Sequence, residues 1–130
     1  MDNIQLLTRR GATCQDLISC LYNLKPNDLQ VLQEVARNEY ATLDQIAKLV
    51  QRDRSSTHRC LSKLMSAGLL HKQSKTLKGG GYYHVYSMVE LSKIKEQARQ
   101  KVKEITHSLE VLINNFEFDF RKRLEENHLG

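Results

Sequence analysis

Two amphipathic runs separated by only three residues constrain this chain more than any other feature. From Asp44 to Leu70 it reads DQIAKLVQRDRSSTHRCLSKLMSAGLL. Leu43, Ile46, Ala47 and Val50 recur at spacings of three and four, one apolar face of an α-helix. In the second run Thr57, Leu61, Leu64 and Met65 fall on one side, and Ser55, His58, Arg59, Ser62 and Ser66 on the other. Thr42 and Gln45 form a capping-box pattern at the start of the first helix. Gln51-Arg52-Asp53 is the turn, and Asp53 can cap the second helix through the N–H of Ser55 or Ser56. Gly68 can close that helix in the left-handed conformation.

Two helices joined this tightly predict a helix-turn-helix. The polar face of its second helix carries hydroxyls, an imidazole and a guanidinium, groups that reach phosphates and base edges. Charge points the same way. The net charge is +5. Residues 52–78 hold seven basic groups (Arg52, Arg54, Arg59, Lys63, Lys72, Lys75, Lys78) against one acid, Asp53, which makes +6. The other residues hold thirteen basic and fourteen acidic groups, which makes −1. The whole excess lies on the second helix and the segment after it, the footprint of a polyanionic partner.

Upstream, residues 1–12 are weakly patterned and read as a flexible lead-in. Residues 13–24 show Cys14, Leu17, Ile18, Leu21 and Leu24 at helical spacing, with Thr13 as N-cap and Asp16 in the first turn. Pro26 suits the first position of another helix, with Leu29, Leu32, Val35 and Ala36 as its stripe, ending near Asn38. Ala41-Thr42-Leu43 reads as a minimal strand. Downstream, Leu69–Lys75 and Tyr82–Val89 predict two strands around Gly79-Gly80-Gly81, a hairpin with a mobile tip.

From Glu90 to about Asn127 there is neither Gly nor Pro. Leu91, Ile94, Ala98, Val102, Ile105, Leu109, Leu112 and Phe116 recur at steps of three or four, and Phe120 and Leu124 continue the stripe at steps of four. This is the a/d seam of a coiled coil between charged flanks. Such a helix could fold back on its own domain or pair with a second copy. The stripe exceeds a small domain's diameter, which favours pairing.

A chain of 130 residues makes one domain's worth of core. No apolar run is long enough to span a membrane, and MDNIQLLTRR lacks a signal core, so a cytoplasmic protein is expected. Cys14, Cys20 and Cys60 lack metal-ligand spacing and read as free thiols. His58, His71, His84, His107 and His128 share no ligand spacing, and no Ser or Cys sits in a nucleophile motif. No catalytic group, metal or cofactor is expected, and no residue constellation marks a small-molecule effector site, which leaves an effector open.

The run DQIAKLVQRDRSSTHRCLSKLMSAGLL resembles the core of prokaryotic winged-helix regulators of the TrmB and MarR type. Their pattern is an "IA" helix, a turn, "RSTVxRxLxxLxxxGLV" and a wing. Ile46-Ala47 match the first part; Arg54-Ser55, Thr57, Arg59, Leu61, Leu64 and Gly68-Leu69-Leu70 match the second. LKPNDLQVL, residues 24–32, resembles the preceding helix, and the similarity extends over about residues 24–89. With the chain ending at 130, the closest form is a short, single-domain, archaeal-type TrmB-like regulator.

The fold expected is mainly α with a small β-hairpin. A flexible segment (1–12) precedes a winged helix-turn-helix (13–89) and a long dimerisation helix (90–127). The resemblance implies a homodimeric regulator that binds double-stranded DNA. Its recognition helix, about 54–67, would lie in the major groove and its wing, about 69–89, on the flanking minor groove and backbone. Ser55, Ser56, His58 and Arg59 would face the groove. Arg59, with Arg54, would make bidentate contacts to guanine. Lys63, Lys72, Lys75 and Lys78 would neutralise phosphates, and Arg52 belongs to the same DNA-binding set. Leu91, Ile94, Ala98, Val102, Ile105, Leu109, Leu112, Phe116 and Phe120 would form the dimer seam. The alternative is an adaptor that binds proteins of the transcription machinery, or an RNA-binding module. A basic rather than apolar recognition face argues for nucleic acid.

Overall fold

The computed structural model describes the backbone of residues 3–129 and the side chains of residues 4–126. Its elements in chain order are α1 (Asn3–Thr8), α2 (Cys14–Tyr22), α3 (Pro26–Arg37), α4 (Leu43–Val50), α5 (Arg54–Ser66), β1 (Leu70–Thr76), β2 (Tyr82–Met88), α6 (Leu91–Asn114) and α7 (Phe116–Leu129). The described residues up to Glu96 make one compact unit and those from Gln97 a second.

Short polar residues set the helix ends of the first unit. At α4 the capping box is complete: Gln45 N–H donates to Thr42 Oγ1 at 3.2 Å and Thr42 N–H to Gln45 Oε1 at 2.9 Å. At α5 the Ser56 N–H donates to the Asp53 carboxylate at 3.1 Å. The C-terminus of α5 closes with Leu69 N–H on the Leu64 carbonyl and Gly68 N–H on that of Met65, both at 3.0 Å. That pair of hydrogen bonds is a Schellman motif, and Gly68 supplies its positive φ of 78°. Helix α4 ends the same way, with Gln51 in the left-handed region at φ 56°.

The caps orient three apolar faces toward one core. Val31, Leu32 and Val35 of α3, Ile46 and Val50 of α4, and Leu61 and Leu64 of α5 meet there. Leu69, Leu70, Tyr86 and Val89 close it from the hairpin side. Strands β1 and β2 pair antiparallel, Leu70 opposite Met88 through Thr76 opposite Tyr82. A single bridge joins Ala41 to Tyr86, so the short strand expected at 41–43 reduces to one residue. The result is a winged helix-turn-helix.

The structure departs from expectation in three places. Asn3–Thr8 form a helix where a flexible lead-in is expected. Arg9 Nη2 holds both Asp16 carboxylate oxygens at 3.1 Å and ties this segment to α2. Met1 and Asp2 lie outside the described residues. In β2 the adjacent Val85 and Tyr86 are both buried, so the base of the hairpin is covered on both faces. The expected single helix of residues 90–127 is interrupted at Asn115. The break is slight, because the Asn115 N–H still donates to the Val111 carbonyl at 3.1 Å and the Asp119 N–H to that of Asn115 at 3.0 Å. Finally, Ile94 is part of the core of its own chain rather than of an open seam, since the compact unit continues into the first turns of α6.

Replacing Gly68 with Ala forces a Cβ into left-handed backbone, which costs about 1–2 kcal/mol. Urea denaturation of Gly68→Ala should show a loss of that size with an unchanged m-value.

Candidate nucleic-acid interface

Helix α5 buries Thr57, Cys60, Leu61 and Leu64. Helical geometry then fixes what faces outward: Arg54, Ser55, His58, Arg59 and Ser66 are exposed, and Ser56 and Ser62 half-buried. Thr57 stays inside because its hydroxyl donates to the Asp53 carbonyl at 2.9 Å. At the start of α5, Arg54 reaches Asp44 of α4 at 3.2 Å. Both side chains are well exposed, so the contact holds Arg54 only weakly. One turn on, Arg59 donates to Ser56 Oγ at 3.3 Å. The Asp53 carboxyl is held below its usual value, chiefly by hydrogen bonds from the Ser56 hydroxyl and N–H, and the nearby Arg59 charge adds to this.

Lys63 is placed otherwise than expected. Its ammonium donates to the Asp28 carboxylate and to the Asn23 carbonyl, each at 2.7 Å. Asp28 is only 5% exposed, so Lys63 neutralises a buried acid rather than presenting a free charge. Burial works against the ionised form of Asp28. The Lys63 ammonium, the Lys25 N–H and the Cys60 thiol outweigh it and hold the carboxyl below its ordinary value. Cys60 is pushed the other way, by burial first and then by Asp28, so it remains a thiol near neutral pH.

The hairpin carries the rest of the charge. Every β1 residue after Leu70 is exposed. Strand geometry and register set Lys72 and Lys75 on opposite faces of the ribbon. Lys78 begins the tip, where Gly79, Gly80 and Gly81 all have positive φ. Lys75 Nζ lies 5.7 Å from the centre of the Tyr40 ring, a cation–π contact between wing and the α3–α4 corner. Tyr40 itself has φ 67° and donates its N–H to the Tyr86 carbonyl at 2.8 Å. Arg52, in the turn, is half-buried. Ser55, Ser56, His58, Arg59 and the three wing lysines thus lie on α5 and the adjoining hairpin, while Lys63 turns inward.

On the second unit, Val102, Ile105, Leu109, Leu112, Phe116, Phe120 and Leu124 are all exposed, as are Val111, Ile113 and Phe118. Phe116 and Phe120 stack with ring centres 5.8 Å apart. Leu91 is exposed and Ala98 buried. Among the described residues no helix is long and apolar enough to cross a membrane, and no three His, Cys, Asp or Glu side chains are grouped to hold a metal.

The profile of the family described as "Sugar-specific transcriptional regulator TrmB" matches residues 18–92, more than half of the chain. The chain belongs to the TrmB family of transcriptional regulators. Two relatives come from Methanocaldococcus jannaschii. The uncharacterised protein MJ1503 is 28% identical over 107 residues, 82% of this chain and 81% of its own. The uncharacterised protein MJ1082 is 30% identical over 84 residues, 65% of this chain and 69% of its own. A possible transcriptional regulator from Methanosarcina mazei superposes with a TM-score of 0.71 at 23% identity, over 84% of this chain and 95% of that one. The ST1889 protein of Sulfolobus tokodaii does so with a TM-score of 0.59 at 21% identity, over 84% and 99%. At these identities the solved structures share the fold of this TrmB-family chain.

Sequence reasoning missed three residues of this surface. Lys25 lies outside the basic run that gives the patch its charge. Asp28 reads as a helix-start acid, with nothing to pair it with a lysine 35 positions away. Tyr40 has no local signal, because its left-handed backbone comes from the bridge to Tyr86.

Lys63→Met leaves the Asp28 carboxylate buried without its cation. Removing one partner of a fully buried pair costs ~3–5 kcal/mol. Lys63 is 35% exposed, so solvent screening reduces the expected loss to about 2 kcal/mol. In the parent protein Asp28 contributes stability above its unfolded value of 3.8 and loses it as pH falls through the lowered folded value. The variant's deficit should therefore narrow in acid, and urea titrations between neutral pH and pH 3 check this.

Proposed function

We propose that this TrmB-family chain binds double-stranded DNA with sequence preference, as a homodimer. The placement of charge carries the reading. The +6 of residues 52–78 lies on α5, its turn and the hairpin, while the rest of the chain sums to −1. A duplex with a charge every ~1.7 Å is the partner such a surface suits. In this reading α5 enters the major groove with Ser55, Ser56, His58 and Arg59 toward the base edges. The wing follows the flanking minor groove, with Lys72, Lys75 and Lys78 near phosphates. Arg54 exchanges its exposed partner Asp44 for DNA at little cost, because the contact is solvent-screened.

The homodimer rests on the second unit. An apolar stripe from Val102 to Phe120 is exposed along its length, more than a monomeric helix keeps in water. A second copy covers it as a coiled-coil seam, which starts at Val102 because Ile94 is already used in the core. Two-fold symmetry then places two α5 helices on half-sites one DNA turn apart, about 34–36 Å, or a multiple.

Selection of bound fragments from genomic DNA should return a two-fold-related motif, bound with affinity that falls steeply in salt. No retention at low salt would instead favour the protein adaptor. Arg59→Ala should lower discrimination at one base position by about 1–3 kcal/mol while leaving non-specific binding nearly unchanged. Leu109→Lys should convert the dimer to a monomer in sedimentation equilibrium at micromolar concentration. A parent protein already monomeric there would rule out the seam.

A further inference from the structure

We infer that the hollow between the start of α3 and the outer side of α5 is a seat for one phosphate group, supplied by the DNA backbone beside the groove that α5 reads. The backbone source rests on the DNA-binding reading; the seat itself does not. The hollow measures about 210 Å³, and its wall includes Lys25, Arg52, Ser56, Arg59, Lys63 and Asp28.

Charge selects an anion. Lys63 and Asp28 satisfy each other at 2.7 Å, so the carboxylate in the wall is already compensated. Arg59 shares its charge with Asp53 and leans on Ser56. The Lys25 ammonium and the Arg52 guanidinium have no acidic partner among the described residues. Two uncompensated cations of different shape therefore border one small hollow. An ammonium serves as a point charge and a guanidinium as a two-pronged donor, the pair of groups that holds a phosphate from two sides. The α3 helix end adds little, because the Lys25 N–H is taken by Asp28 at 2.8 Å and Pro26 has no N–H. The seat is built by side chains.

Size narrows the occupant. Organic ligands take pockets of about 300–1,000 Å³. A hollow of about 210 Å³ has room for a phosphate with part of its water shell. Position names the source. Ser56 and Arg59 belong both to the wall of the hollow and to the outer side of α5. A duplex lying along α5 thus brings its backbone past the opening.

The test uses the full chain and the double variant K25A/R52A, whose lost side chains make no ion pair in the folded protein. Circular dichroism melts should be unchanged. Fluorescence anisotropy with duplex DNA across a salt series should show that the variant loses affinity evenly over all sequences. Its log–log salt slope should fall by about 1.8 for the dimer, one phosphate contact per protomer. The two single variants should be less than additive, because both groups serve one phosphate. In parallel, inorganic phosphate is titrated into parent and variant and followed by amide shifts of residues 25–28 and 52–63. An unchanged salt slope with phosphate shifts lost in the variant keeps the seat and assigns it to free phosphate. An unchanged slope with no phosphate-dependent shifts overturns the seat. Should the parent not bind DNA at all, the DNA reading fails by itself, and the phosphate titration alone decides the seat: shifts lost in the variant uphold it, and their absence overturns it.

Discussion

The contact between Lys63 and Asp28 fixes how α5 can be used. The buried side chains of Thr57, Cys60, Leu61 and Leu64 set the rotation of α5, and the ammonium, held at 2.7 Å by both the Asp28 carboxylate and the Asn23 carbonyl, adds a polar tie. It joins the middle of α5 to the start of α3 and to the C-terminal cap of α2. With Thr57, Cys60, Leu61 and Leu64 buried, helical periodicity leaves Ser55, His58 and Arg59 outward. A buried ion pair contributes little net stability, since desolvation offsets most of its attraction. Here its consequence is orientation: any rotation strands a carboxylate away from its cation in an apolar setting.

Much of the fold was legible because its signals are local. The capping box of Thr42 and Gln45, the Asp53 cap and the Gly68 terminus each need only a few consecutive residues, and each forms as expected. The apolar stripes of α3, α4 and α5 likewise state their own period. What the sequence concealed depends on distant partners. Arg9 reaches Asp16 and orders a segment with no stripe of its own. Tyr86 bridges to Ala41 and leaves a one-residue strand. Val85 and Tyr86 are buried side by side because the base of the hairpin is covered on both faces, which no alternation rule anticipates.

The candidate surface divides in the same way. A helix-turn-helix and its charge run are consecutive in sequence, so the outward set on α5 and the wing lysines could be read directly. The role of Lys63 could not, because charge counting treats every lysine alike and its partner lies on another helix. Lys25 escaped for the converse reason. It stands outside the basic run, yet α3 begins beside α5, and the fold adds it to the patch. Patterning gives the chemistry on each element; which of those charges remain unpaired is decided only where elements meet.

The two units then solve different problems with the same kind of residue. In the first, apolar side chains from α3, α4, α5 and the hairpin enclose one another, and Ile94 completes that core from the first turns of α6. In the second, α6 beyond Glu96 and α7 carry leucines, isoleucines and phenylalanines that remain open to water. A helix that buries nothing gains no tertiary stabilisation, and propensity alone seldom holds one of this length intact. On the proposed reading the stripe is one half of a core whose other half a second copy supplies. Ten exposed apolar side chains between Val102 and Leu124 are more than a single two-stranded seam covers, because Val111, Ile113 and Phe118 fall off its line. The Asn115 interruption starts a new helix just where these off-seam residues gather. The i→i−4 hydrogen bonds still run on through Asn115, so stripe and off-seam residues share one run of helix, and a partner covering only the a/d line would leave Val111, Ile113 and Phe118 in water.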